Sequence, residues 1–142
     1  MIRKFEYKDK QTIRRLFGIL TGSMMSEQDL MNRLNFIENS SVDFLYVYEV
    51  NDSVIGLLGF RIRENIEENS RYGEISVIVV DSEYQRQGIG KQLIEYSEQL
   101  AGLLNCKGTW LISGFGREDK AHRFYKSLGY DSTGYRFVKR II

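Results

Sequence analysis

Proline is absent from this chain of 142 residues, and cysteine, histidine and tryptophan occur once each. The lone Cys106 excludes an internal disulfide and a multi-cysteine metal centre, and it fits a reducing cytoplasm. Charge of one sign is missing too: 20 Lys and Arg against 19 Asp and Glu leave a net charge of +1. No basic field therefore marks nucleic acid as a partner, and any bound anion must be held locally. No apolar run approaches the ~20 residues that span a bilayer, and no cationic, apolar segment opens the chain. Neither a signal peptide nor a membrane helix is expected, and a soluble cytoplasmic protein is. There is no repeat and no low-complexity tract. What remains is ordinary for one globular domain spanning residues 1–142, with 42% hydrophobic and 27% charged residues.

Hydrophobic periodicity divides the chain into alternating elements. Ile2 to Tyr7 suits a first strand, and Asp9 stands where it can cap a helix carrying Ile13, Leu16, Phe17 and Leu20 and stopped by Gly22. Ser26 and Asp29 form a capping-box pattern ahead of Leu30, Leu34 and Ile37. The β-branched and aromatic runs Asp43 to Val50 and Ser53 to Ile62 meet at the turn pair Asn51-Asp52, which predicts a hairpin. Glu64 to Ser70 is polar and loop-like. Tyr72 to Val80 ends in an unbroken apolar run, typical of a strand covered on both faces at the centre of a sheet. Ile89, Leu93, Tyr96, Leu100 and Leu103 step at helical spacing up to Asn105. Gly108 to Ser113 is a short buried strand, and Ala121, Phe124, Tyr125 and Leu128 mark a helix that Gly129 stops. Tyr130 to Ile142 is then expected to supply a final strand or hairpin turning at Asp131 to Gly134. The order predicts an α/β fold with a mixed sheet, in which the βαβ unit pairs Tyr72–Val80 in parallel with Gly108–Ser113.

Between that parallel pair lies Tyr84-Gln85-Arg86-Gln87-Gly88-Ile89-Gly90-Lys91, at the mouth of a helix. Helix starts leave backbone N–H groups without partners and carry partial positive charge, so phosphate suits them. Gly88 and Gly90 let the backbone approach such an anion, and Gln85, Arg86, Gln87 and Lys91 add donors at the rim. A strand-to-helix turn that uses glycine for conformation alone is the other reading of the same residues. A Walker loop does not fit, because the spacing of Gly88 and Gly90 is wrong and Gln92 follows Lys91. The dinucleotide fingerprint does not fit either: Leu93 stands at its third glycine, and Trp110 and Leu111 stand where its acid belongs.

With its flanks the stretch has a better match. Glu74 to Val80, then Gln85-x-x-Gly88-x-Gly90, then Ala121-His122-Arg123-Phe124-Tyr125-Lys126-Ser127-Leu128-Gly129-Tyr130 resembles the GNAT superfamily of acetyl-CoA-dependent N-acetyltransferases. The resemblance runs through the whole order of elements and is sharpest from Tyr72 to Tyr130. It departs at Asp81-Ser82, where many members have proline, and at Arg117-Glu118, where many have asparagine near the cofactor thiol. It implies a mostly antiparallel sheet with one splayed parallel pair, flanked by about four helices. It also implies that acetyl-CoA is the donor, with its diphosphate on Gln85, Arg86, Gln87, Gly88, Ile89, Gly90 and Lys91. Its pantetheine arm would run along Ile78, Val79 and Val80.

The resemblance further implies acetyl transfer to a primary amine in a ternary complex, with no metal. Only a neutral amine attacks a thioester, and the lysine reference pKa is about 10.4, so a proton acceptor is needed. Glu74, at the far end of the strand from the phosphate loop, is placed for that role through water, and equally suits a strand-end carboxylate. Tyr125 aligns with the tyrosine that protonates the departing thiolate, though helical spacing also makes it a core residue. His122 is expected at the surface, Cys106 as a small buried side chain, and Glu64, Glu67 and Glu68 as solvated loop charge. A non-catalytic acyl-CoA-binding module remains the alternative function. The acceptor amine and the choice between monomer and homodimer are left open.

Overall fold

The structure, a computed structural model, describes residues 1–114 and 118–142, with only the backbone of Glu118 and Asp119. Five strands form one sheet in the order β1 (Ile2–Lys4), β2 (Asp43–Val50), β3 (Ser53–Glu64), β4 (Arg71–Val80), β5 (Thr109–Trp110). The first four pair antiparallel, and β4 with β5 is parallel as the βαβ unit requires. Four α-helices lie among the described residues: α1 (Lys10–Thr21), α2 (Glu27–Glu38), α3 (Ile89–Leu103) and α4 (Arg123–Ser127).

Side-chain alternation along the strands sends apolar groups to both faces. Leu45, Val47, Leu57 and Val79 meet Ile13 and Leu16 of α1 and Leu30 and Leu34 of α2. On the other face Tyr46, Leu58 and Ile75 meet Ile89, Leu93 and Ile94 of α3, with Phe124, Tyr125 and Leu128 of α4 packed beside them. The result is three layers, helix on sheet on helix.

Local signals place several boundaries as expected. The Ser26 hydroxyl accepts from the Asp29 N–H at 3.1 Å and opens α2. Gly22 ends α1, and Asn51 and Asp52, both left-handed at φ 50° and 64°, make the β2–β3 turn. Asp9 does not cap α1. Its carboxylate instead accepts the Glu6 N–H at 2.8 Å and two bonds from the Arg3 guanidinium at 2.9 and 3.0 Å. That bidentate pair outcompetes a cap because it is charge-assisted. The first strand accordingly stops at Lys4 and passes into a 3-10 turn, Tyr7–Asp9.

Three expectations about the sheet are corrected. The central strand is β3, buried without interruption from Val54 to Phe60, whereas β4 stands next to the edge with Val77, Ile78 and Val80 only half-buried. The strand expected over Gly108–Ser113 pairs only at Gly73 with Thr109 and at Glu74 with Trp110. Tyr130 to Ile142 forms no strand or hairpin, and every residue from Asp131 onward is exposed. A run of apolar residues fixes neither its partner strand nor its place in the sheet, because both depend on what packs over it.

Candidate active site

β4 is bent by its own sequence. Its register against β3 shifts between Gly59 and Phe60, leaving Ser76 as the extra residue of a bulge. A Cβ on Gly59 would lie 2.7 Å from the Ser76 hydroxyl oxygen and 2.8 Å from the Val77 Cβ, so glycine there makes room for the bulge. On its other side β4 meets β5 for two residues and then parts from it, so among the described residues no strand pairs with Ile75 to Val80 along that edge. Backbone groups freed in this way need a partner from elsewhere.

Past the open edge of β4 the chain turns into the loop that starts α3. Arg86 and Gly88 are both left-handed, at φ 63° and 79°, and wind the backbone of Gln85 to Gly88 into an exposed loop. A non-glycine residue in that region costs of order 1–3 kcal/mol, a strain typical of ligand clamps. Gln92 is the first residue to donate back into α3, its N–H reaching the Gly88 carbonyl at 3.1 Å. The N–H groups of Ile89, Gly90 and Lys91 therefore have no intrahelical acceptor and carry the positive end of a helix of 15 residues. A Cβ on Gly90 would lie 3.5 Å from the Phe124 ring, so the loop and α4 are close neighbours here.

Beyond the loop, β5 and the segment after it form one wall of an open groove of about 1330 Å³, and α4 forms another. Trp110, Leu111, Ser113, His122, Tyr125 and Tyr130 line it. Tyr125 is half-buried, its ring 5.3 Å from Phe124 and 6.4 Å from Tyr130. Tyr130 shares a 2.6 Å hydrogen bond with Thr109 and donates to Glu98 at 3.2 Å. Burial, aided by the charge of Glu98, pushes its phenol up to about 12. The Ser113 hydroxyl is buried and has no hydrogen-bond partner among the described residues. Such an orphan is costly in water-free surroundings and marks a place for a polar ligand group.

Glu74 is not on the wall of that groove. It sits one strand away, in register with Trp110, and accepts a hydrogen bond from Arg63 Nε at 2.8 Å. The Arg63 guanidinium lies 5.7 Å from the centre of the Trp110 ring, so acid, cation and indole form one stack at the β4–β5 end. Gly73 fixes this corner: a Cβ there would fall 2.4 Å from the Phe60 ring, a side chain that is fully buried.

Comparison with known proteins decides the class. A family model described as Acetyltransferase (GNAT) family matches residues 13–130. The chain belongs to the GNAT acetyltransferase family. A GNAT family acetyltransferase from Staphylococcus aureus superposes with a TM-score of 0.83 at 31% identity, over 99% of this chain and 98% of that one. An aminoglycoside N-acetyltransferase in complex with CoA gives a TM-score of 0.86 at 16% identity, over 99% of this chain and 93% of its own, which speaks to fold alone. The aminoalkylphosphonate N-acetyltransferase of Salmonella typhimurium is 32% identical over 64% of this chain. That match spans 58% of the relative's length.

Within this GNAT fold the expected site residues separate by what they can offer. Gln85, Arg86, Gln87 and Gly88 are exposed at the loop, while the Ile89 side chain is 5% exposed in the core and can contribute only its N–H. Val79 also points away from the cleft, into the α1–α2 side of the sheet, whereas Ile78 and Val80 lie on the α3 side. Lys91 is exposed beside Glu95 at 3.9 Å, a weak surface pair. His122 is not a simple surface residue: it is half-buried, with Nε2 3.2 Å from the Gly114 carbonyl. Burial pushes the Cys106 thiol up, which holds it protonated and unsuited to nucleophilic attack. Two of the three loop acids form exposed ion pairs, Glu64 with Arg71 and Glu68 with Lys107 at 2.7 Å. Of the departure at Arg117-Glu118, Arg117 and the Glu118 side chain lie outside the described residues. Sequence reasoning missed Ser113, Arg63 and Tyr130, because a buried orphan or a stacked cation has no signature in spacing.

Proposed function

We propose that this GNAT protein transfers an acetyl group from acetyl-CoA to a primary amine by direct attack in a ternary complex. The observation that supports the reading is the pairing of β4 with β5 over only two residues, ahead of a helix start whose first three N–H groups have no intrahelical acceptor. The loop Gln85 to Lys91 would hold the diphosphate, largely through backbone N–H groups with Arg86 and Lys91 adding charge. Ile78, Val79 and Val80 would line the pantetheine arm, chiefly through main-chain atoms, and the Ser113 hydroxyl supplies a further polar contact. When bound, acetyl-CoA provides an electrophilic thioester carbonyl and a thiolate leaving group.

The chain's own groups then move two protons. Glu74 accepts the proton of the ammonium through water, and the neutral nitrogen forms the new bond to the acetyl carbon. Tyr125 donates its phenolic proton as the carbon–sulfur bond breaks, and the second proton of the adduct nitrogen returns to the phenolate through water, leaving the amide and the free thiol. The acceptor is an amine of a small molecule or a protein. Aminoalkylphosphonates, the class named for the Salmonella relative, and aminoglycosides come first in a substrate panel. No helix among the described residues is long and apolar enough to cross a membrane. A cytoplasmic location is our proposal, supported by the lone thiol and the need for acetyl-CoA.

The deciding measurement is release of free CoA thiol from acetyl-CoA, expected only when an amine of the panel is present. Stabilisation against heat by acetyl-CoA with no release for any amine would instead identify a binding module. Glu74→Gln should lower turnover and change the pH–rate profile, and an unchanged profile would remove Glu74 from the mechanism.

A further inference from the structure

One row of the strand register crosses the sheet from β2 to β5 through Asp43, Arg61, Glu74 and Trp110, each opposite the next. Side chains in such a row share a face of the sheet. It is the face away from α3: Ile75, next to Glu74, packs against α3, and Thr109, next to Trp110, bonds Tyr130 on that side. Within the row Arg61 turns toward β2 and gives its Nε to Asp43 at 2.6 Å. Glu74 is left to Arg63, a diagonal neighbour on β3 that stands opposite Tyr72. Tyr72 and Trp110 both line the groove, so Arg63 rather than Arg61 is the cation beside it.

The pair of Glu74 and Arg63 is bonded only in part. Among the described residues Glu74 accepts through Oε1 alone and Arg63 donates through Nε alone, so Glu74 Oε2 and both Arg63 Nη groups have no hydrogen-bond partner there. The Arg63 side chain is 48% exposed, and the Trp110 ring, 5.7 Å away, holds its guanidinium in place. A guanidinium fixed in this way presents a fork that fits an acid group in two parallel bonds. An amine that brings only positive charge gains Glu74 but is repelled by Arg63. An amine that also carries an acid satisfies both, with its ammonium at Glu74 and its acid at Arg63. We propose that Arg63 is the anchor for an acid group on the acceptor, so that the acceptor is a zwitterionic amine bearing a carboxylate or phosphonate rather than a polycation. Arg63 then determines specificity and takes no part in proton transfer. The proposal rests on the reading of Glu74 as the group that receives the amine.

Calorimetric titration of the full chain saturated with free CoA tests it, because no acetyl group is present and binding is read apart from turnover. The probes are aminoethylphosphonate and β-alanine, with propylamine and diaminopropane as the amines that lack an acid. The two acid-bearing probes should bind roughly 10-fold or more tightly than propylamine, the scale of hydrogen bonds between charged groups, and diaminopropane should gain nothing. Arg63→Gln should erase that advantage while its thermal midpoint and its stabilisation by acetyl-CoA stay as in the wild type. Arg61→Gln should keep the advantage, since Arg61 faces Asp43. Equal affinities for all four amines, or no binding of the acid-bearing pair, would overturn the anchor. So would an advantage that survives Arg63→Gln, or one lost in Arg61→Gln instead. Preferential binding of the acid-bearing pair with no thiol release from acetyl-CoA would leave the anchor standing and count against the catalytic reading alone. Thiol release with propylamine and diaminopropane but not with the acid-bearing pair would do the reverse.

Discussion

The two faces of the sheet are made of different materials. Under α1 and α2 the packing is mostly aliphatic and closed, with Ile13, Leu16, Leu34, Val47 and Leu57 wholly inaccessible. Under α3 and α4 it turns aromatic, with Tyr48, Tyr96, Tyr125 and Tyr130 half-buried and the last two lining the groove. Aliphatic side chains have nothing to offer but area, at about 25 cal/mol per Å² removed from water. Tyrosines bring comparable bulk with a hydroxyl that requires a partner, as Tyr48 finds in Gln92 at 2.6 Å and Tyr130 finds in Thr109. The closed face therefore carries stability, and the aromatic face keeps polar groups at the edge of an opening, where a substrate can be met.

The comparison can be broken most sharply at Tyr125. Tyr125→Phe keeps the ring and its packing, so turnover should fall by about 100-fold or more while the midpoint of urea unfolding and the thermal shift with acetyl-CoA hold. A parallel loss of binding would reassign Tyr125 to the core. On the closed face the reverse is expected: Leu57→Ala should cost about 2–5 kcal/mol in urea unfolding and leave the activity of the folded fraction unchanged. Gly88→Ala tests the loop that joins the two. The new methyl group meets no atom within 4 Å, so the penalty of about 1–2 kcal/mol comes from φ 79° alone, and the KM for acetyl-CoA should rise.

The smallest effect concerns acid. Arg15 Nη2 donates to Asp81 Oδ2 at 2.7 Å and ties α1 to the end of β4. That bond, with help from the Glu83 N–H, holds the Asp81 carboxyl below its ordinary value. A depressed carboxyl stabilises the fold above its unfolded pKa of about 3.9, and the increment is lost as pH falls through the folded value. In Arg15→Gln acid unfolding should begin at higher pH, by an amount worth at most about 1 kcal/mol because Arg15 is half exposed. Identical acid curves for the two proteins would show that the pair adds nothing.

Legibility followed the range of the physics. The Ser26 cap, the Asn51-Asp52 turn and the α3 periodicity act over a few residues, and each was read where it stands. Asp9 was misread because its partner, Arg3, reaches it from a different element and competes with a cap. The strand expected over Gly108–Ser113 shrank to Thr109–Trp110 because it pairs with β4 only at Gly73 and Glu74, and pairing is settled by two strands meeting in space. Arg63, stacked on Trp110 and bonded to Glu74, lies eleven residues from its acid and far from its indole, so no spacing rule joins the three.

By itself the sequence determined the order of elements as far as α4, the parallel βαβ unit and the glycine loop at the mouth of α3, because turn chemistry and periodicity are local and backbone N–H groups at a helix start need no tertiary help to be unpaired. Only the tertiary structure decided which strand is central, which residues of the loop and of β4 offer side chains and which only backbone, and that Tyr130 to Ile142 forms no strand. Those outcomes turn on burial, and burial is a property of what lies opposite a residue in space.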